Sequence, residues 1–252
     1  TSIRKSGAGV NRGAHGEDEV NEAAENPILR WSLDDGVADR VQDWAVEVDG
    51  ITVRDEGRAY ERLAALASAR GEAAASVPIG QVEGIDAARR LYRAFGVDPT
   101  RHRPSSEALV RRARKGQELY RLNEVVDVGN WVSLEWLLPL GLYDRDRVVG
   151  DAATVRTGHE GEEYEGIRKG PVHLAGRLCV ADADGAFGSP TSDSARTAIR
   201  ETTRRVSAIV FAPADLDPSR VREAGDALVA RLEEFAGGRG VFSGPVGSAT
   251  GG

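Results

Sequence analysis

Cysteine occurs once in this 252-residue chain, at Cys179, which excludes an internal disulfide framework and suits a reducing compartment. Lysine is nearly as scarce, three residues against thirty arginines, a bias that reads as codon usage more than function. No apolar run approaches the ~20 residues of a membrane-spanning helix. The greasiest patch, residues 136 to 140, is interrupted by Pro139. The N-terminal residues show no apolar signal-peptide core. These absences point to a cytoplasmic protein with no membrane partner. The common catalytic signatures are missing too: no P-loop, no nucleophile elbow, no dinucleotide glycine fingerprint and no zinc-type Cys/His set. No cofactor and no metal are expected, and the catalytic residue stays unknown.

The chain is long enough to bury a real core, and its 40% hydrophobic and 29% charged residues are ordinary for a globular protein. A net charge of −7 argues against general affinity for nucleic acid. That average hides a basic segment, residues 101 to 121, holding Arg101, Arg103, Arg111, Arg112, Arg114, Lys115 and Arg121 against Glu107 and Glu118. The segment reads either as a solvated helix face or as a phosphate-binding patch on an acidic body.

Hydrophobic periodicity confines the folded part. Residues 1 to 27 are Gly- and Glu-rich and read as a disordered arm, residues 28 to 236 as one domain, and residues 237 to 252 as a disordered tail. "WAVEVDGITV" (44 to 53) alternates as a strand through an Asp-Gly turn. "GRAYERLAALASARG" is a helix closed by Gly71; "DAARRLYRAFG" starts from Asp86 as cap; "PSSEALVRRARKG" starts from Ser105. After residue 146, short β-type runs are expected at 153 to 156, 172 to 174, 177 to 181 and 206 to 212, followed by a helix opened by Asp217-Pro218. Helices first and strands later, without βαβ alternation, indicate an α+β domain.

Three polar groupings stand out. In the apolar stretch "RLNEVVDVGNWVSLEWLLPL" (121 to 140), helical geometry puts Asn123, Asp127 and Asn130 on one narrow stripe. They read as a pocket wall or as a buried hydrogen-bond network. "HRPSSEA" (102 to 108) offers Ser105, Ser106 and Glu107 at a helix start, where free N–H groups can bind an anion. "SPTSDSARTA" (189 to 198) reads as a capped turn into a short helix. Alternatively it walls a pocket for a zwitterion, with Asp193 for an ammonium and Thr191, Ser192 and Arg196 for carboxyl or phosphate oxygens. Of the histidines, His15 and His159 read as solvated, His173 as a strand residue, and His102 as a phosphate contact or an exposed turn. Cys179 reads as a buried thiol.

"RLNEVVDVGNWVSLEWLLPLGLYDRDRVVGDAATVRTGHEGEEYEGI" resembles the editing domain, called B3/B4, of the bacterial phenylalanyl-tRNA synthetase beta subunit. The likeness is carried by Asn123, Val125 to Val128, Asn130, Leu134, Glu135, Pro139 and Tyr143-Asp144-Arg145-Asp146, continuing through Arg156, Gly161 and Glu162. "HRPSSEALVRR" and "SPTSDSARTAI" are more similar to stand-alone members of the family. The resemblance covers roughly residues 85 to 236. It implies an α+β fold with a β-sandwich of unusual topology flanked by helices, and a pocket for the 3′ end of a mischarged tRNA. In the synthetase that pocket hydrolyses tyrosine from tRNA made for phenylalanine.

Two positions depart from the family pattern. The synthetase has a His before the aromatic-Asp pair, and here that residue is Gly141; its pocket Glu falls near "VFAPA" (210 to 214), which holds no carboxylate. The resemblance therefore implies a retained scaffold with an altered pocket. The expected function is a stand-alone tRNA- or aminoacyl-tRNA-binding protein, with trans-acting deacylation of mischarged tRNA as its enzymatic form. The alternative is a protein that binds an amino acid or similar small molecule and has lost tRNA. Expected substrate contacts are Ser105, Ser106, Glu107, Asn123, Asp127, Asn130, Thr191, Ser192, Asp193 and Arg196. Expected tRNA contacts are Arg101, Arg103, Arg111, Arg112, Arg114 and Lys115.

Overall fold

The computed structural model describes residues 27–167 and 170–248. The strands are β1 (Arg30–Leu33), β2 (Trp44–Asp49), β3 (Leu140–Asp144), β4 (Ala152–Thr157), β5 (Glu163–Gly166), β6 (Gly170–His173), β7 (Leu178–Asp182), β8 (Gly185–Gly188), β9 (Arg205–Val210), β10 (Arg239–Pro245) and β11 (Gly247–Ser248). The helices are α1 (Arg58–Ala73), α2 (Ile85–Ala94), α3 (Ser105–Arg114), α4 (Glu124–Trp136) and α5 (Pro218–Ala236). One sheet runs β11-β1-β4-β7-β8 and a second runs β10-β2-β9-β3, while β5 and β6 form a separate hairpin. The pairs β1–β11 and β1–β4 are parallel, and the others are antiparallel. This is an α+β fold.

The second sheet is buried on both faces, and its sequence shows why. In β9, Val206, Ala208 and Val210 join one apolar cluster with α4 and α5, through Val128, Val132, Leu228 and Leu232. Ile209 and the following Phe211 point the other way, into a cluster with Val155, Leu178, Val180 and Phe187 of the first sheet. A strand alternates sides residue by residue, so apolar residues at consecutive positions fill two cores at once. A third cluster, built on Leu63, Ile85, Val110 and Leu134, ties α1, α2, α3 and α4 together.

Helix ends are held largely by carboxylates and side-chain amides. Asn123 caps α4 by accepting from the N–H of Val126, and Asp217 caps α5 by accepting from that of Ser219. The N-terminus of α1 follows Gly57, at φ 82°, and has no side-chain cap of its own. Glu124, buried at the start of α4, supplies one across the fold: its two oxygens accept from the N–H groups of Arg58 and Ala59 at 2.9 and 2.8 Å. The helix boundaries differ from the sequence reading by a residue or more. Gly71 lies inside α1, where a Cβ would sit 2.7 Å from the Ala113 carbonyl oxygen, so its role is close packing and not termination. Asp86 is in the first turn of α2 behind Gly84, and Ser105 is the first residue of α3 behind Pro104.

The expected C-terminal tail is corrected in part. Arg239–Pro245 pair with β2, and Gly247–Ser248 pair with β1. Most of β10 is exposed or half-buried, so backbone pairing at a sheet edge holds it without the apolar alternation that sequence reading relies on. The expected N-terminal arm lies outside the described residues except for Pro27. Among the described residues, no helix is long and apolar enough to cross a membrane.

One buried acid adds a pH dependence. Asp43 accepts from the N–H of Ala212 at 3.0 Å through Oδ1, while its buried Oδ2 has no hydrogen-bond partner among the described residues. Burial pushes its carboxyl up to about 8, against the lowering effect of the Ala212 bond. Between the ordinary value of 3.8 and about 8, the folded state binds a proton that the unfolded state does not. This contribution to stability is therefore full below about pH 4 and is lost as pH rises, at up to ~1.4 kcal/mol per pH unit. Urea unfolding from pH 5 to 8 is expected to show this loss. Asp43→Asn, which keeps the Ala212 bond, should flatten it, and an unchanged slope in that variant would assign the dependence elsewhere.

Candidate functional site

The two hydroxyl-bearing segments singled out in the sequence meet. The N–H of Ser105, at the start of α3, approaches the carbonyl of Pro190 at 3.5 Å. Residues 189–197 form no helix. They run as a loop stitched to three strands: Ser194 N–H to the Phe187 carbonyl, Ala195 N–H to Glu165, and Asp144 N–H to Thr197. Within the loop, the Ser189 hydroxyl donates to the Ser192 carbonyl at 3.0 Å. The Tyr164 hydroxyl reaches Ser189 Oγ at 3.0 Å and also donates to the Ser192 carbonyl. The Tyr92 hydroxyl on α2 meets Thr191 Oγ1 at 2.7 Å.

Beside this loop lies a cleft of about 20 Å³ between α2, β6 and the start of β7. That is room for one small group. Its floor is apolar, from Leu91, Phe95, Leu174 and Leu178, and Ser189 and Thr191 add hydroxyls to its wall. At its rim, Arg177 Nη2 lies 3.3 Å from His102 Nε2. Sequence reading missed Tyr92 and Arg177, which line the cleft, and Tyr164, which holds its loop, because they come from three separated elements and none sits in a local motif. The described residues contain no group of His, Cys, Asp or Glu arranged to hold a metal ion.

Several expected substrate contacts are occupied by the scaffold. Glu107 is fully buried and holds Arg89 at 2.7 and 2.9 Å and Arg111 at 2.7 Å. Burial would raise its carboxyl, but the bonds from Arg89 and Arg111 outweigh this and hold it below the usual range. Ser106 is buried and donates to the Leu137 carbonyl. Asp193 accepts from the N–H of Leu142 at 3.2 Å, and Arg196 forks onto Asp182 at 2.8 and 3.0 Å. Asp193 and Arg196 thus each carry a scaffold contact, and both stay half-exposed. Ser105, Thr191 and Ser192 stay half-exposed around the cleft.

The stripe on α4 also divides. Asn123 is the cap. Asp127 is fully buried and accepts from the N–H of Leu122 at 3.2 and 3.4 Å. Burial pushes its carboxyl up to about 6, opposed by that bond and reinforced by Glu124. Asn130 is half-buried. The Leu137 carbonyl that meets Ser106 lies past the C-terminal end of α4, so Asn123 is ~20 Å away along the helix. Asn123 and Asp127 therefore serve the start of α4 and do not line the cleft. Other matched residues act similarly. Glu162 binds Arg156 at 2.7 and 2.8 Å and the N–H of His159 and Ala186, contacts that hold its carboxyl at about 2. Asp144 accepts from Thr203 Oγ1 at 2.7 Å, and Asp146 pairs with Arg205. Cys179 is buried, which pushes its thiol up to about 12.

The basic segment is split by its contacts. Arg101 and Arg103 are exposed on the loop that carries His102 to the cleft. Arg111 is drawn to Glu107. Arg112 donates to the Glu118 carbonyl and lies 4.2 Å over the ring of Tyr120, Arg114 donates to the Ala75 carbonyl, and Lys115 is exposed. These last three lie at the far end of α3, ~15 Å from its start.

A family described as the B3/4 domain matches residues 87–237, more than half of the chain. Among curated proteins, the chain is similar to the phenylalanine–tRNA ligase beta subunits of Bartonella henselae (32% identity over 109 residues) and Gloeobacter violaceus (32% over 118). It is also similar to that of Oceanobacillus iheyensis, at 26% over 175 residues. These matches cover 42%, 46% and 59% of this chain and 13%, 14% and 21% of the relatives. The chain thus spans about a fifth or less of the length of these relatives. Among solved structures, an N-terminal fragment of the phenylalanyl-tRNA synthetase beta-subunit from Pyrococcus horikoshii aligns with a TM-score of 0.45 and 14% identity, over 87% of this chain and 56% of that one.

Gly141 stands where a side chain has no room. Gly141 pairs with Ile209 on the inner face of β3. A Cβ at 141 would fall 2.0 Å from the Tyr143 hydroxyl oxygen, and one at Gly188 would fall 2.1 Å from it. Tyr143 is fully buried, with its ring edge-to-face on Phe187 at 4.7 Å. Burial and the nearby Asp193 push its phenol well above the usual range. In "VFAPA", Phe211 and Ala212 are fully buried, and the carboxylate that reaches this segment is Asp43. Gly141→Ala is expected to cost about 1–3 kcal/mol of unfolding free energy by overpacking. Part should return in a Tyr143→Phe background. Urea melts of the two single variants and the double variant check this, and an unperturbed Gly141→Ala would show that the phenol moves freely.

Proposed function

The chain belongs to the B3/4 domain family, and from that premise we propose that it works apart from a synthetase as an aminoacyl-tRNA-binding protein and trans-acting deacylase. The observation that carries this reading is the convergence of an apolar cleft, a hydroxyl-bearing loop and the exposed Arg101 and Arg103 at one place. The aminoacyl side chain enters the cleft, Thr191 and Ser189 face the ester, and the arginines meet the phosphates of the 3′ strand. Ester cleavage needs a positioned water and donors for the developing oxyanion. The hydroxyls of Tyr92, Thr191 and Ser189 can orient water, but no carboxylate lines the cleft as a general base. With Gly141 in place of the family's His, hydrolysis is slow and tyrosyl ester on phenylalanine tRNA is a poor substrate; the imidazole lining the cleft, His173, is paired with Glu163.

The second reading, a small-molecule protein that has lost tRNA, is favoured by the −7 net charge and the modest cleft. Salt dependence separates the two. Phosphate contacts release counterions, so tRNA affinity must fall steeply with salt. Arg101→Glu, Arg103→Glu and Lys115→Glu each remove an exposed charge and should each flatten the log–log slope by about one if that residue contacts phosphate. Incubation with a panel of mischarged tRNAs, following ester loss, tests the chemistry. No tRNA binding at low salt, together with binding of a free amino acid, would replace the first reading by the second. Efficient tyrosine release from phenylalanine tRNA would overturn the account of the altered pocket.

A further inference from the structure

We propose that Arg177, steadied by His102, is the anion grip of the cleft, and that the ligand is an oxyanion carried next to a small aliphatic body. This deepens the aminoacyl-tRNA reading and rests on it for the identity of the ligand, not for its chemistry. Arg177 leaves a tight turn whose backbone is fixed on both sides: its N–H donates to the Leu174 carbonyl and its carbonyl accepts from Gly158, both at 2.8 Å. Gly176, at φ 70°, provides the reversal before it. The guanidinium is thus launched from a rigid point.

Its surroundings set it apart from most arginines near this site. Arg89, Arg111, Arg156 and Arg196 each hold a carboxylate at 2.7–2.8 Å. Arg177 meets no carboxylate within ion-pair distance among the described residues, and the side chain it touches is His102 through Nε2. An arginine N–H can only donate, so that nitrogen accepts, which places the imidazole proton on Nδ1. One donor is spent on orienting the fork and the others remain for a ligand. The nearby Glu163 carboxylate is taken up by His173 Nδ1 at 2.8 Å.

Behind this cation the cleft is apolar and small. Leu91 and Leu174 are almost fully buried, and the space of about 20 Å³ suits a small group. A half-buried guanidinium in front of an apolar cleft recognises an amphipathic anion. Two sources share this chemistry: the 3′-terminal phosphodiester beside a small aminoacyl group such as alanyl, and a free short-chain carboxylic acid.

The test compares the full chain with Arg177→Gln and Arg177→Lys, each first shown to melt like the parent. The probes are tRNA carrying a non-hydrolysable 3′-alanyl amide, the corresponding tyrosyl amide, and free propionate and 3-phenylpropionate. Arg177→Gln should weaken alanyl-amide tRNA by about tenfold or more, and Arg177→Lys should recover part of it, since a charge without the fork replaces only some of the hydrogen bonds. The alanyl amide should bind better than the tyrosyl amide. If the parent binds tRNA and Arg177→Gln binds it equally, the grip is refuted while the tRNA reading stands. If propionate binds in an Arg177-dependent way and no tRNA binds, the grip stands and the tRNA reading falls. Tighter binding of the tyrosyl amide or of 3-phenylpropionate would overturn the small-body assignment. Failure of every probe would overturn both.

Discussion

A sheet covered on both faces governs this molecule. β2 and β9 are flanked by α4 and α5 on one side and by the other sheet on the other. Apolar burial contributes roughly 25 cal/mol per Å² on either face, so an unpaired polar group on either face is costly. Of the sheet's buried polar side chains, Ser207 Oγ stands without a hydrogen-bond partner among the described residues, while Glu47 does long-range work. Glu47 of β2 accepts from the Leu29 N–H at 2.8 Å and from the Trp31 indole at 3.2 Å, tying the segment entering β1 across the sandwich. The helices and the cleft are mounted on this doubly covered plate.

The second recurring device is a carboxylate standing where water would otherwise satisfy backbone N–H groups. Glu124 does this for α1, Asp127 for Leu122, Asp43 for Ala212 and Glu162 for the loop at His159 and for Ala186 of β8. The electrostatic consequences differ with the partner. Glu162 has a guanidinium beside it and stays strongly acidic, whereas Asp43 and Asp127 meet mainly backbone donors in buried surroundings and are pushed upward. A buried acid bonded to N–H groups alone compensates only part of its desolvation.

How much could be read from the residues follows the same division. The α+β class, the Pro218 start of α5 and the strand at β9 were legible, since each rests on local periodicity or helix-start chemistry, whereas Asn123, read as part of a helix stripe, is the cap of α4. β10 was not, because an edge strand held by backbone bonds needs no apolar alternation. Of the site, the meeting of the 105 and 189–192 segments involved residues already singled out, but their roles did not follow. Whether Glu107 or Arg196 faces a ligand or a scaffold partner depends on Arg89 and Asp182, which reach them only through the tertiary fold. Arg177 carried no signal for the same reason.

The inner strand β1 bears on how the chain reaches its native state. Its four residues lie between β4 on one side and β11 on the other, both far away in sequence and both parallel to it. No hairpin turn can bring these segments together, so each pairing closes a long loop before any contact rewards it. During synthesis, β1 emerges early and waits for β4, and the sheet is completed only when residues 247 and 248 follow. The docking of β1 into this layer is therefore limited by topology, set by pairing distance along the chain and not by the strength of any local element.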